Sequence, residues 1–313
     1  KDLPYGTYTV KQISGQAGTI FCDAWDVTVD EHGKVYKYEK ENPLWTASVS
    51  LHKKEAGVET PLIGTFELCE RMADGTVKVL EAGTTGADGN LAFTRKIVHT
   101  DGVCNSSTYF IREKEAPAGY VLDTKEYPVS CTENQQTISV TIENAPILGK
   151  LELRKQSSVG KPMQGVEFVL EFSLDDGSTW SAVTYRENDT IIIPGSCTNA
   201  ELIDGKLLTD ENGIAVYEGL RVYTADGKAI LYRVTETKTL DGSSLIPGHI
   251  WEGDLVTEKE GEHQFEVVLR VTNSPVLEIP ETGSHAAILM PVSLGVCLAA
   301  CIGALVYLRR KEQ

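Results

Sequence analysis

The sequence predicts an all-β chain of tandem β-sandwich domains followed by one C-terminal transmembrane helix. Three observations carry this. Apolar residues alternate with period two in nearly every segment of the first 276 residues. Fixed spacings between the same residue types recur along the chain. An uncharged run of 23 residues, Ala286–Leu308, stands before a basic terminus in a chain of 313. Period two places alternate side chains on opposite faces of a strand, whereas an amphipathic helix would need a period near 3.6.

The alternating segments are YGTYTVKQI, ASVSLHK, STYFIRE, TISVTIEN, KLELRK, LYRVTE and QFEVVLRVTN, separated by turn clusters such as ADGN, DENG and LDGSS. Short antiparallel strands with one buried face read this way. No segment carries a long 3.6-residue period, so packed sheets are expected.

The segments also repeat. VSLHKK (49–54) resembles LELRK (151–155), and TYFIREKEAPAGY (108–120) resembles both ILYRVTETKTLDG (230–242) and GTYTVKQISGQAG (6–18). Asn42 to Lys53 and Asn144 to Lys155 are each 11 residues; Gln12 to Asn42, Glu113 to Asn144 and Glu236 to Asn273 are 30, 31 and 37. Three strands are expected to end in Asn followed by Pro or x-Pro, at KENP (40–43), IENAP (142–146) and VTNSP (271–275), and such fixed spacing marks copies of one module. It divides the chain into 1–44 (the C-terminal part of one copy), 45–147, 148–276 and a tail, 277–313.

Polar residues recur on the apolar faces. Lys53 shares a face with Val49 and Leu51, Glu113 with Tyr109 and Ile111, and Asn144 with Val140 and Ile142. In the next copy Lys155 joins Leu151 and Leu153, Glu236 joins Tyr232 and Val234, and Asn273 joins Leu269 and Val271. An unpaired buried charge costs several kcal/mol, so these groups either meet one another or end at a wet rim. A single such residue would read as a strand end. Three per copy, in the same order, favour a meeting. Lys54 and Glu115 are the neighbouring alternatives; inward parity separates Lys53 from Lys54, whereas Glu115 shares the parity of Glu113 and stays open.

The pattern resembles the collagen-adhesin B-type (Cna-B, prealbumin-like) domains of Gram-positive adhesins and pilins. The motif Tyr-x-Val-x-Glu-x-x-Ala-Pro-x-Gly-Tyr stands here as Tyr109-Phe-Ile-Arg-Glu113-Lys-Glu-Ala-Pro117-Ala-Gly-Tyr120, between a first-strand lysine and a last-strand asparagine. The second copy keeps Tyr232-Arg-Val-Thr-Glu236 and lacks the Ala-Pro-x-Gly-Tyr part. The resemblance implies self-formed isopeptide bonds, Lys53 to Asn144 and Lys155 to Asn273. Glu113 and Glu236 would promote each, hydrogen-bonding the Asn carbonyl and shuttling protons. Burial disfavours the ammonium, which frees the amine as a nucleophile, and fixed contact supplies the effective concentration. Each bond forms once, so no turnover enzyme and no cofactor is implied. In 1–44, Gln12 stands at the Glu position, which disfavours a bond to Asn42.

The tail resembles a cell-wall sorting signal. Ile279-Pro280-Glu281-Thr282-Gly283 has the Leu-Pro-x-Thr-Gly form with Ile for Leu. It precedes an apolar run long enough, at roughly 34 Å, to cross a bilayer core of about 30 Å, then the basic tail 309–313. Basic residues stay cytoplasmic, so the rest lies outside. By this resemblance a sortase cleaves after Thr282 and joins it to a peptidoglycan precursor or a pilin subunit, leaving a wall-anchored surface protein whose precursor spans the membrane. A host or matrix ligand would be bound upstream of residue 1. A polymerising pilin lysine is missing: Tyr127-Pro128-Val129 lacks it, which favours a stalk over a shaft subunit. KDLPYGTYTV is not a signal peptide, so the chain reads as part of a longer protein. An alternative is the spacer and anchor of an extracellular enzyme whose catalytic domain lies upstream.

The net charge of −16 argues against nucleic acid. Cys22, Cys69, Cys104, Cys131 and Cys197 show no metal-binding spacing. A disulfide among Cys69, Cys104 and Cys131 competes with free buried thiols, and Cys297 and Cys301 lie in the apolar run. The six histidines are scattered without paired spacing, and no metal site is expected.

Overall fold

The computed structural model describes residues 3–276 apart from 104, 189, 260 and 261. All regular structure among them is β. The chain opens on a hairpin of β1 (Gly6–Val10) and β2 (Trp25–Val29), with Gly6 level with Val29 and Val10 with Trp25. The expected strand ending at Asn42 does not form. Among the described residues, 35–43 make no ladder; Leu44 bridges Thr19, and Ile20 N–H donates to the Pro43 carbonyl (2.8 Å). Alternating sequence without a neighbouring strand leaves its backbone groups to water.

The first sandwich comprises β3 (Thr46–Glu55), β4 (Thr65–Arg71), β5 (Val77–Thr84), β6 (Asn90–Ala92), β7 (Ile97–Val98), β8 (Thr108–Glu115), β9 (Glu126–Val129) and β10 (Gln136–Asn144). One sheet has the order β10-β3-β6 with β7 also on β3, and the other runs β5-β4-β8-β9. Their facing residues make one core: Ala47, Val49 and Leu51 from β3 lie against Phe66 and Leu68 from β4 and Tyr109 and Ile111 from β8. In β3 alternate residues are buried from Ala47 to Glu55, the period-two face extended to its end.

The second sandwich repeats this plan with β11 (Leu148–Ser157), β12 (Glu167–Ser173), β13 (Ser181–Ala182), β14 (Thr184–Tyr185), β15 (Ser196–Cys197), β16 (Lys206–Leu208), β17 (Ile214–Arg221), β18 (Leu231–Lys238), β19 (His249–Gly253), β20 (Thr257–Lys259), β21 (Glu262–Gln264) and β22 (Glu266–Asn273). Sheet β17-β11-β22 covers β13-β12-β18-β19, to which β16 adds through β12. Leu151, Leu153, Phe168, Leu170, Tyr217, Tyr232 and Val234 fill the space between them.

Two features of this plan position the site. First, the first and last strands of each sandwich lie side by side and parallel: β10 on β3, and β22 on β11. Second, a glycine turn pins each lysine. The Lys53 and Lys155 N–H groups donate to the Gly89 and Gly213 carbonyls, both at 2.7 Å. Both glycines have positive φ (75° and 72°), and a Cβ on either would lie 2.3 or 2.2 Å from the lysine's own carbonyl oxygen. Only glycine fits there.

Cys69, Cys131 and Cys197 are buried free thiols and Cys22 is a free, half-buried one. A disulfide between Cys69 and Cys131 is therefore absent. Cys104 and residues 277–313, with the sorting motif and the apolar run, lie outside the described residues. Among the described residues no helix is long and apolar enough to cross a membrane.

Candidate functional site: two buried Lys–Glu–Asn clusters

Lys53 and Lys155 are among the largest fully buried side chains of the molecule. Each sits near the C-terminal end of the first strand, on the core face. In the parallel register Lys53 is level with Ile142 and Lys155 with Val271. Asn144 and Asn273 lie two residues further along the neighbouring strand, hence on the same face and diagonal to the lysine. Glu113 and Glu236 descend from the opposite sheet, on β8 and β18. Parallel pairing of the end strands thus brings together residues 91 and 118 positions apart.

The three side chains meet in the same order in both. Lys53 Nζ meets Asn144 Oδ1, and Lys155 Nζ meets Asn273 Oδ1. The amine lies 3.4 Å from Glu113 Oε1 in the first cluster and 3.2 Å from Glu236 Oε1 in the second. Asn144 Nδ2 donates to both Glu113 oxygens at 2.9 Å, and Asn273 Nδ2 donates to Glu236 Oε1 at 2.7 Å. This differs from the expected bond between the glutamate and the Asn carbonyl. The carboxyl group faces the amide nitrogen instead, the atom that would leave. A backbone N–H steadies the second oxygen: Asp123 N donates to Glu113 Oε2 (2.7 Å) and Ile246 N to Glu236 Oε2 (3.1 Å). With that oxygen already accepting one N–H, an amide N–H is the complementary partner for the rest of the group.

Burial pushes the Lys53 and Lys155 amines below their usual value of 10.5, against the opposing pull of the neighbouring glutamate. Desolvation penalises the ammonium more than the nearby carboxyl group favours it. The phenyl ring of Phe66 closes one side of the first pocket, with its centre 5.7 Å from Lys53 Nζ.

The adjacent alternatives point elsewhere. Lys54 Nζ pairs with Glu59 at 2.7 Å on the outer face, and Glu115 is exposed. Gln12 accepts from Cys22 N and Sγ (3.2 and 3.4 Å) and donates to the Ser14 carbonyl (3.0 Å).

Three participants were not read from the sequence. Thr239 Oγ1 accepts a bond from Asn273 Nδ2 (2.7 Å), whereas the residue at the same distance after Glu113 is Ala116, which has no hydroxyl. Alignment of the two copies on the glutamate would have shown this difference. The steadying N–H groups of Asp123 and Ile246 carry no side-chain signal, but both lie ten residues after their glutamate. No group of three or more His, Cys, Asp or Glu residues among those described is placed to hold a metal.

The first of the two clusters sits in a recognisable domain. Residues 47–146 match the SpaA prealbumin-like fold domain. No curated protein matches the chain. Among solved structures, the Bacillus anthracis TIE protein aligns over 87% of this chain and 42% of its own, at 20% identity and a TM-score of 0.54. The chain thus spans less than half the length of that protein, and the likeness is one of fold. A Streptococcal ancillary pilin aligns over 88% of this chain and 76% of its own, at 15% identity and a TM-score of 0.30. A C-terminal fragment of the pilus adhesin SpaC from Lactobacillus rhamnosus GG covers 74% and 98%, at 15% and 0.36.

Proposed function

We propose that the chain is the stalk of a cell-wall-anchored surface protein or pilus-type subunit whose two sandwiches are braced by self-formed Lys53–Asn144 and Lys155–Asn273 isopeptide bonds. The observation that carries this reading is the duplicated, fully buried Lys–Glu–Asn contact. The same three residue types occupy the same register positions in two domains of different sequence. A buried amine with a depressed pKa, held against a carboxamide, is a nucleophile set on its electrophile.

The reaction balances within each cluster. The neutral Lys53 Nζ lone pair attacks Asn144 Cγ and a C–N bond forms. The amine gives up a proton to Glu113 Oε1, 3.4 Å away. The carboxyl group returns one proton to Nδ2, which it already faces at 2.9 Å, the Cγ–Nδ2 bond breaks, and ammonia leaves. Glu236 does the same for Lys155 and Asn273, with Thr239 as a further partner of the departing nitrogen. The glutamate ends in the state in which it began.

Surface attachment rests on Ile279–Gly283 with the apolar run and basic tail. A sortase would cleave between Thr282 and Gly283 and transfer Thr282 to a peptidoglycan precursor or pilin subunit. Replacing Thr282 by Ala and fractionating wall from membrane tests this: a sortase substrate moves from the wall to the membrane fraction, and an unchanged distribution contradicts the assignment. For the cross-links, the intact mass of residues 1–276 is the test, with two ammonia losses expected.

A further inference from the structure

The first cluster is tied to the second sandwich by a buried ionic network. Arg221, at the end of β17, is 3% exposed, and Glu55 and Tyr120 of the first sandwich are each 4% exposed. All five guanidinium N–H groups are used. Nη1 donates to Glu55 Oε1 (2.8 Å) and the Ile192 carbonyl (3.0 Å), Nη2 to Glu55 Oε2 (3.0 Å) and Tyr120 Oη (2.8 Å), and Nε to the Tyr223 carbonyl (2.7 Å). Tyr120 Oη in turn donates to Glu55 Oε2 at 2.6 Å. A buried pair of this kind is costly to break from one side.

Both first-sandwich partners border the cluster. Glu55 is two residues beyond Lys53 on the same face, and its Cα is level with that of Asn144. Tyr120 bridges Pro146, and the next residue, Val121, donates its N–H to the Ala145 carbonyl (3.0 Å). Three residues after Tyr120, Asp123 N–H holds Glu113 Oε2. The chain can span no more than about 3.6 Å per residue, so the position of Tyr120 limits where that N–H can be.

The second sandwich supplies an internal comparison. Ser243 bridges Pro275, Ser244 N–H donates to the Ser274 carbonyl (2.8 Å), and Ile246 N–H holds Glu236. The loop is the same, but a serine stands where Tyr120 stands. There Thr239 supplies a contact to the Asn nitrogen that the first cluster lacks.

We infer that Arg221 and Tyr120 are positioning residues for the Lys53–Asn144 reaction, so that cross-linking of the first sandwich reaches its full rate only when the second has folded against it. This rests on the cross-link reading above. Arg221 reaches neither Lys53 nor Asn144 itself. It acts by fixing Glu55 and Tyr120, and through Tyr120 the loop whose Asp123 N–H orients the Glu113 carboxyl group. The second cluster, with Thr239 and no tyrosine anchor, depends on its own domain.

The test is a pulse-labelled full-length chain sampled after synthesis and digested, each cross-linked peptide pair being followed by mass. Tyr120→Phe, which removes one hydroxyl, and Arg221→Met are expected to slow the Lys53–Asn144 bond by about tenfold, the order expected when a bond that orients a reacting group is lost. The Lys155–Asn273 bond should keep its wild-type rate at matched protease resistance. Arg221→Lys should recover part of the rate lost in Arg221→Met. Tyr120→Phe keeps the test valid if Arg221→Met fails to fold. Wild-type rates at both sites in Tyr120→Phe, equal slowing of both sites, or equal rates for the Lys and Met variants would overturn the inference. A wild-type chain with no cross-linked peptide would overturn the cross-link reading itself and this inference with it.

Discussion

At the scale of the residue, the chemistry is that of an amine taken out of water. Burial lowers the pKa of Lys53 and Lys155, so the neutral nucleophile is populated at lower pH than on a free lysine. Two consequences follow. The rate of ammonia loss should rise with pH and level off below the ordinary lysine range. A rate that follows an unshifted amine, measured by mass on freshly made protein across pH, would contradict this. The second concerns stability where the bond is blocked. In Asn144→Ala, with Lys53 retained, the folded state gives up its proton before the unfolded state does. The penalty is then complete below the lowered folded pKa and is relieved as pH rises toward 10.5. Denaturant midpoints for this variant should climb through that window. Glu113→Ala should leave Lys53 unmodified while the second site still loses ammonia. Loss at both sites in that variant would remove the glutamate from the chemistry.

At the scale of the element, the deciding features are parallel pairing of the end strands and the glycine turn against each lysine. Gly89→Ala forces a Cβ to within 2.3 Å of the Lys53 carbonyl oxygen at a φ of 75°. It should destabilise the first sandwich by about 1–3 kcal/mol and reduce its cross-linking, with the second site unaffected. Thermal unfolding together with peptide mass maps would show this; an unaltered first site would mean the turn does not set the lysine.

Much of this scale was legible in the sequence. The alternation in ASVSLHK gave the buried face of β3 and chose Lys53 over Lys54, because strand periodicity is local. Its continuation to Glu55 was equally visible but went unread, since a glutamate at the end of a strand reads as a rim residue until its partner is known. That partner, Arg221, lies 166 positions away in another domain, and no local pattern reports such a distance. The strand expected at Asn42 failed for the complementary reason: repeat spacing proposes a strand, but a ladder needs a neighbour.

For the whole molecule, the proposed cross-links would define where tension runs. Tension entering the first sandwich at Thr46 would pass along β3 to Lys53, cross to Asn144 and leave toward the second sandwich, bypassing a separation of 91 positions. The same route through Lys155 and Asn273 bypasses 118. If the entropy relation for closed loops carries over, each link stabilises its fold by about 4–5 kcal/mol, and no reductant would undo it. In single-molecule pulling the wild-type domains should release none of this length. Lys53→Ala should release roughly 300 Å and Lys155→Ala roughly 400 Å of hidden chain. Equal extensions for wild type and variants would remove the load-bearing role.

The most direct test of the central claim is the intact mass of residues 1–276. Two formed bonds give a mass lower than the sequence mass by two ammonia molecules, with one restored by Lys53→Ala and the other by Lys155→Ala. A wild-type mass equal to that of the unmodified sequence would contradict it.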